Sequence, residues 1–189
     1  KKHTTMKYSD IYRLYSTSQP KDAIHQALRE VPVDDSDEQY EDRSPLHLAC
    51  QYGDTEGVKI LLERDAEPNT KDANGSTPIH ILGRTSAGCA DEDKLKEIAV
   101  MLIEQGANIP RSAKNTTALI ECIRNRHFKM AEAIIDSGAR VNSTDLNGEN
   151  VLFGFCAASG DIRRDIRFAK KELDESVQYR YPENKIEEI

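Results

Sequence analysis

Ser44-Pro45-Leu46-His47-Leu48-Ala49 and Thr77-Pro78-Ile79-His80-Ile81-Leu82 share one pattern of hydroxyl, proline, apolar, histidine and apolar residues, and they begin 33 residues apart. A fixed period of this length marks a solenoid, in which each supersecondary unit buries its apolar face against its neighbours. The flanks extend the repeat. Asp72-Ala73-Asn74-Gly75-Ser76 leads into Thr77, and Asp145-Leu146-Asn147-Gly148-Glu149 leads into Asn150 at the same offsets. Downstream, Val58-Lys59-Ile60-Leu61-Leu62 with Glu67-Pro68-Asn69 is echoed by Ala99-Val100-Met101-Leu102-Ile103 with Gly106-Ala107-Asn108. A third echo is Ala131-Glu132-Ala133-Ile134-Ile135 with Gly138-Ala139-Arg140-Val141-Asn142.

Each recurring residue has a local physical reason. Ser44, Thr77, Thr117 and Asn150 stand where a helix must begin, and each offers a side-chain oxygen to the orphan N–H groups of a first turn. Pro45 and Pro78 follow at the first helical position, where a missing N–H costs nothing and the fixed φ already suits a helix. Gly106 and Gly138 fit the left-handed position that ends a second helix. Asp65 holds that place in the first unit, at greater expected backbone strain.

These motifs, in register over roughly residues 40 to 175, resemble the ankyrin repeat. The resemblance implies an all-α ankyrin-repeat solenoid of stacked helix-turn-helix units with turn or β-hairpin fingers. The spacing divides the chain into an N-terminal helical cap (1–40), a repeat domain (41–175, with units at 41–71, 72–111, 112–144 and 145–175) and a tail or end of a capping helix (176–189). Tyr8, Ile11, Tyr12 and Tyr15 form one apolar stripe and Ile24, Ala27, Leu28 and Val31 another, so the start reads as a helical pair. An acidic segment, Asp34-Asp35-Ser36-Asp37-Glu38, joins it to the first unit. Ile162, Ile166, Ala169, Leu173 and Val177 give the stripe of a C-terminal capping helix. The second unit is longer, 40 residues from Thr77 to Thr117, and its extra run Arg84 to Lys94 reads as a solvated loop. The third unit lacks the Pro and the His, so its first helix is expected to be held less firmly.

Composition narrows the function. A formal charge of −7 argues against nucleic acid as a partner and suits a basic protein surface better. No apolar run approaches the ~20 residues of a membrane span, and no signal-peptide pattern opens the chain. It begins Lys1-Lys2 without Met, which leaves room for an upstream segment. Cys50, Cys122 and Cys156 fall on first helices at small apolar positions and read as buried hydrophobes. Cys89, in the extra run, is the thiol open to modification. Unpaired thiols point to a reducing, cytoplasmic setting. No cysteine–histidine spacing indicates a metal, and no cofactor motif or catalytic constellation is legible.

In the ankyrin family the motif histidine bonds the backbone of the turns and ties units together, which the resemblance implies for His47 and His80. The family's partners usually dock on a concave face lined by fingers and first helices. Carried over by motif, that face comprises Arg43, Asn74, Ser76, Lys114, Asn147 and Glu149 from the fingers, and Gln51, Tyr52, Arg84, Thr85, Arg124 and Asn125 from the first helices. Tyr52, Arg84 and Arg124 are the preferred anchors, because Tyr and Arg dominate binding hot spots. The bland reading of each is a solubilising face. The family also admits hydroxylation of an Asn at the position of Asn69 or Asn142, with Leu61 eight residues before Asn69 at a spacing those substrates favour; a hydrogen bond within the turn is the preferred reading. The expected function is a non-enzymatic, monomeric module binding a protein or peptide. The alternative is the recognition or targeting region of a larger enzyme or bacterial effector.

Overall fold

A computed structural model describes residues 6–85, 91–108 and 117–139. Eight α-helices follow one another in these residues: α1 (Tyr8–Ser16), α2 (Lys21–Glu30), α3 (Pro45–Gln51), α4 (Thr55–Glu63), α5 (Pro78–Gly83), α6 (Glu92–Glu104), α7 (Ala118–Arg124) and α8 (Phe128–Asp136), with a 3-10 turn at Glu38–Tyr40. They form antiparallel pairs stacked in two layers. The first helices α1, α3, α5 and α7 pack in series, and the second helices α2, α4, α6 and α8 pack in series behind them.

The α1/α2 pair therefore does more than blunt an end. It occupies the register of a complete unit, with α1 on α3 and α2 on α4. Its two stripes are buried as the spacing requires: Tyr8, Ile11, Tyr15, Ile24, Ala27, Leu28 and Val31 are all inside, and Tyr12 is half-buried. One apolar core runs from Tyr8 through Leu46, Leu61, Ile79, Leu82, Ile98 and Leu102 to Ile134.

The start of α3 shows how the repeated motif works. Ser44 is extended, Pro45 opens the helix, and the His47 ring turns back so that its Nδ1 accepts from the Ser44 backbone N–H at 3.1 Å. The Ser44 hydroxyl lies 2.9 Å from the same nitrogen. Histidine here takes the part that Glu or Gln plays in a capping box. Thr77 and His80 repeat the arrangement at the head of α5, at 3.3 and 2.9 Å. Thr117, whose unit lacks the histidine, instead caps α7 with its own hydroxyl, which accepts from the Ile120 N–H. The cap expected at Asn150, the fourth unit, Cys156 and the C-terminal capping helix lie outside the described residues.

Second helices end as expected, with Gly106, Gly138 and Asp65 all at positive φ (85°, 88° and 62°). One expectation is corrected. The segment Arg84 to Lys94 is not a loop throughout, because α6 already begins at Glu92. Asp91 caps it by accepting from the Asp93 N–H, and Glu92 and Asp93 place negative charge at the positive end of the helix dipole. The described finger before α5 takes the turn form of the expected turn or β-hairpin fingers.

Candidate functional site

The finger before α5 is organised by one buried carboxylate. Asp72 accepts from the backbone N–H groups of Asn74 at 2.9 Å and Ser76 at 2.8 Å, while its own N–H donates to the Ser76 carbonyl. Gly75 supplies the positive φ of 67° that lets the turn close. The finger is tied to its predecessor by the Ala73 N–H, which donates to the Glu41 carbonyl at 2.8 Å.

Two arginines brace fingers to first helices. Arg43 donates to the Gln51 side chain at 2.9 Å, pairs with Glu41, and lies 3.6 Å from the Asp72 carboxylate of the next finger. Arg84 donates to the Ser76 hydroxyl at 2.9 Å and to Glu121 of α7 at 3.1 Å. Each guanidinium thus links finger to helix end within a unit and reaches on to the following unit.

This geometry revises the candidate face. It brings Arg43 together with Gln51, and Ser76 with Arg84. Ser76 and Thr85 are buried, so neither is presented to a partner: the Ser76 carbonyl accepts from His47 and the Thr85 carbonyl from His127. Arg84 is a brace first, with its side chain only a quarter exposed. Asn125 donates its amide to the carbonyls of Gly83 and Glu121, which commits it to the seam between α5 and α7. Asn74 is half-buried in its turn, and Arg124 is exposed at the end of α7. Lys114, Asn147 and Glu149 lie outside the described residues, as does Cys89.

Tyr52 keeps the outward position its place in the motif suggested. Among the described residues it is the large hydrophobic side chain left exposed, at 41%. Its ring lies 4.7 Å from that of Tyr15 on α1, nearly parallel at 14°. Sequence reasoning missed this neighbour, together with Tyr12 and Tyr40, because the helical pair was read as a cap. The signal was present in the spacing Tyr8, Tyr12, Tyr15 along one helix face.

A family model described as ankyrin repeats (many copies) matches residues 27–82. Neurogenic locus notch homolog protein 1 of Mus musculus is 31% identical over 134 residues, 70% of this chain and 5% of that protein. Ankyrin repeat protein nuc-2 of Neurospora crassa is 29% identical over 124 residues, 65% of this chain and 10% of the relative. This is an ankyrin-repeat protein. A transient receptor potential cation channel subfamily A member 1 homolog of Caenorhabditis elegans is 38% identical over 69 residues, 36% of this chain. The chain spans only 5% to 10% of the length of these relatives.

Two polar seams hold the ankyrin units in register. In the first, the His47 Nδ1 is an acceptor, so the proton sits on Nε2 and donates to the Ser76 carbonyl at 3.0 Å. Burial holds the imidazole below its ordinary pKa of 6.5. In the second, Asp54 at the head of α4 accepts from the Tyr15 hydroxyl at 2.8 Å, and the His25 ring lies 3.0 Å from both carboxylate oxygens. The cluster stacks against Gly57: a Cβ there would lie 2.7 Å from Asp54 Oδ2 and 2.9 Å from the Tyr15 hydroxyl. Burial, then the adjacent Asp54 charge, pushes the Tyr15 phenol far above its usual range. A hydroxyl so hard to ionise suits a fixed donor and not a general base or nucleophile. The Asn69 side chain also ties units together, donating to the Gly106 carbonyl and accepting from the Asn108 N–H at 2.7 Å, while within its own turn only its backbone N–H is engaged, by Glu67.

Among the described residues no three His, Cys, Asp or Glu side chains group as metal ligands, and no helix is long and apolar enough to cross a membrane. Cys50 and Cys122 are buried free thiols, and burial pushes both well above the usual thiol range. Alkylation of the native protein is accordingly expected to spare both, with labelling at the rate of global unfolding. Peptide mapping after a timed iodoacetamide exposure checks this; rapid native labelling at either residue would contradict the packing.

Proposed function

We propose that this array is a non-enzymatic module that recognises a protein or peptide through its inner face, working as a monomer in the cytoplasm. Ankyrin repeats are generally protein–protein interaction modules. The observation that carries the reading here is Tyr52, an exposed aromatic ring held flat on a buried one beside the braced Arg43 and Gln51. A ring fixed before binding loses little conformational freedom on contact, which is what a hot-spot residue requires. The acidic balance disfavours nucleic acid, and the free thiols fit a reducing compartment.

The test is selection from a displayed peptide library, with affinity capture from lysate, comparing the chain with a Tyr52→Ala/Arg124→Ala variant. Arg84 is left in place because its loss would cut the tie to Glu121. Ligands bound by the parent and lost by a variant of unchanged circular dichroism are expected. Retention of the same ligands would remove the inner face from consideration. A second reading, that the array is the recognition region of a larger protein, is favoured by the small share of each relative that the chain spans.

A further inference from the structure

All five tyrosines among the described residues gather at one junction. Tyr8, Tyr12 and Tyr15 line one face of α1; Tyr40 lies 5.6 Å from Tyr8 and 4.3 Å from Tyr12, ring to ring, and Tyr52 stacks on Tyr15. Elsewhere the buried core is built chiefly from Leu, Ile, Val and Ala, with Cys50, Cys122 and Met130. Tyr8 and Tyr15 are buried, Tyr12 and Tyr40 half-buried, and Tyr52 exposed, so the cluster opens progressively to solvent. Aromatic rings with a wet edge are the side chains that serve both a core and a contact surface.

The charge beside this cluster has one sign. Residues 34–43 carry Asp34, Asp35, Asp37, Glu38, Glu41 and Asp42 against the single cation Arg43. That cation is already held by Glu41 and the buried Asp72. Asp35 accepts from the Tyr8 N–H and Asp37 caps the 3-10 turn, whereas Asp34 and Glu38 are exposed with no ion-pair partner among the described residues. A π face presented beside uncompensated carboxylates attracts a guanidinium or ammonium twice over: the ring face takes the cation, and the acids steer it there.

We infer that Tyr52, Tyr12 and Tyr40, with the acidic rim at Asp34 and Glu38, receive an arginine- or lysine-bearing segment of the partner protein. The inference rests on the proposed function and specifies the partner's chemistry. It also assigns the α1/α2 pair a share in binding, since Tyr12 belongs to that pair and Tyr15 supports Tyr52.

The experiment uses fluorescence anisotropy with a labelled peptide alternating arginine and glycine, and its glutamate–glycine counterpart, against the full chain. The basic peptide is expected to bind and the acidic one not, with affinity falling as salt is raised. Tyr52→Ala and Glu38→Lys are each expected to weaken binding about tenfold. Both positions are exposed, so both variants are expected to fold; circular dichroism verifies this. Glu97→Lys, on the exposed side of α6, serves as the remote charge control and is expected to leave binding unchanged. Equal loss with Glu97→Lys would show diffuse attraction to an acidic protein and overturn the inference, as would basic-peptide binding indifferent to Tyr52→Ala. Library selection of acidic or apolar peptides that depend on Tyr52 would overturn it while leaving the proposed function standing. Absence of any inner-face ligand would remove both.

Discussion

Replacing Asp54 with alanine is expected to lower the unfolding free energy by about 3 kcal/mol, measured by urea denaturation. The carboxylate is nearly inaccessible, and it satisfies the buried Tyr15 hydroxyl and the His25 ring, both on the helical pair ahead of α3. Without it, the buried Tyr15 hydroxyl and the half-buried His25 ring lose their acceptor, and a buried orphan costs about 1–3 kcal/mol. Asp54→Asn keeps one oxygen acceptor, so a smaller loss is expected. Gly57→Val tests the same seam from the other side, because its β-carbon has no room beside Asp54 and Tyr15. A loss below about 1 kcal/mol for Asp54→Ala would mean that water replaces the carboxylate, and that the helical pair is held by its apolar stripe alone.

His47→Ala is expected to cost a similar amount, about 3 kcal/mol, since it leaves the Ser44 N–H and the Ser76 carbonyl without their partner and opens a cavity in a fully buried position. This residue also carries a pH signature. Burial holds the folded pKa below 6.5, so the unfolded chain takes up the proton first as pH falls. The stability contributed by His47 is whole above 6.5 and declines as pH drops from there toward the folded value. In His47→Ala that component of the acid slope should vanish, leaving a shallower fall over the same range. Denaturation midpoints measured on both sides of 6.5 decide it; identical slopes in parent and variant would show that other groups govern the acid response.

The repeat period, the two Pro-containing helix starts and the glycine helix ends were legible because each is a local requirement of backbone geometry, visible at Ser44, Pro45, Gly106 and Gly138 without knowledge of any neighbour. Residue-level surface was less legible for a physical reason. Ser76 and Thr85 occupy positions that face a groove in an idealised repeat, yet their carbonyls serve histidines in adjoining units, and that depends on packing no single motif encodes. Arg84 looked like an anchor by residue type, but the partner that holds it, Glu121, lies 37 residues away. The tyrosine junction was hidden by its division among three segments, each of which reads as ordinary alone. The start of α6 was obscured by a composition rich in Ser, Gly and Asp, which describes a loop and a helix cap equally well.

Besides the side-chain pairs Tyr15–Asp54 and Arg84–Glu121, a second class of tie between neighbouring units shares one property. His47 donates to the Ser76 carbonyl, Asn69 to that of Gly106, Asn125 to that of Gly83, His127 bonds that of Thr85, and Arg64 reaches back to those of Leu28 and Val31. In each of these ties one unit supplies a side chain and the other only its main chain. The receiving unit can exchange its side chains at these positions and still be gripped, so the joint is blind to its neighbour's spelling. At these joints duplication, loss or swapping of whole units demands no matching pair of mutations across the boundary, whereas the Tyr15–Asp54 and Arg84–Glu121 pairs must keep both members.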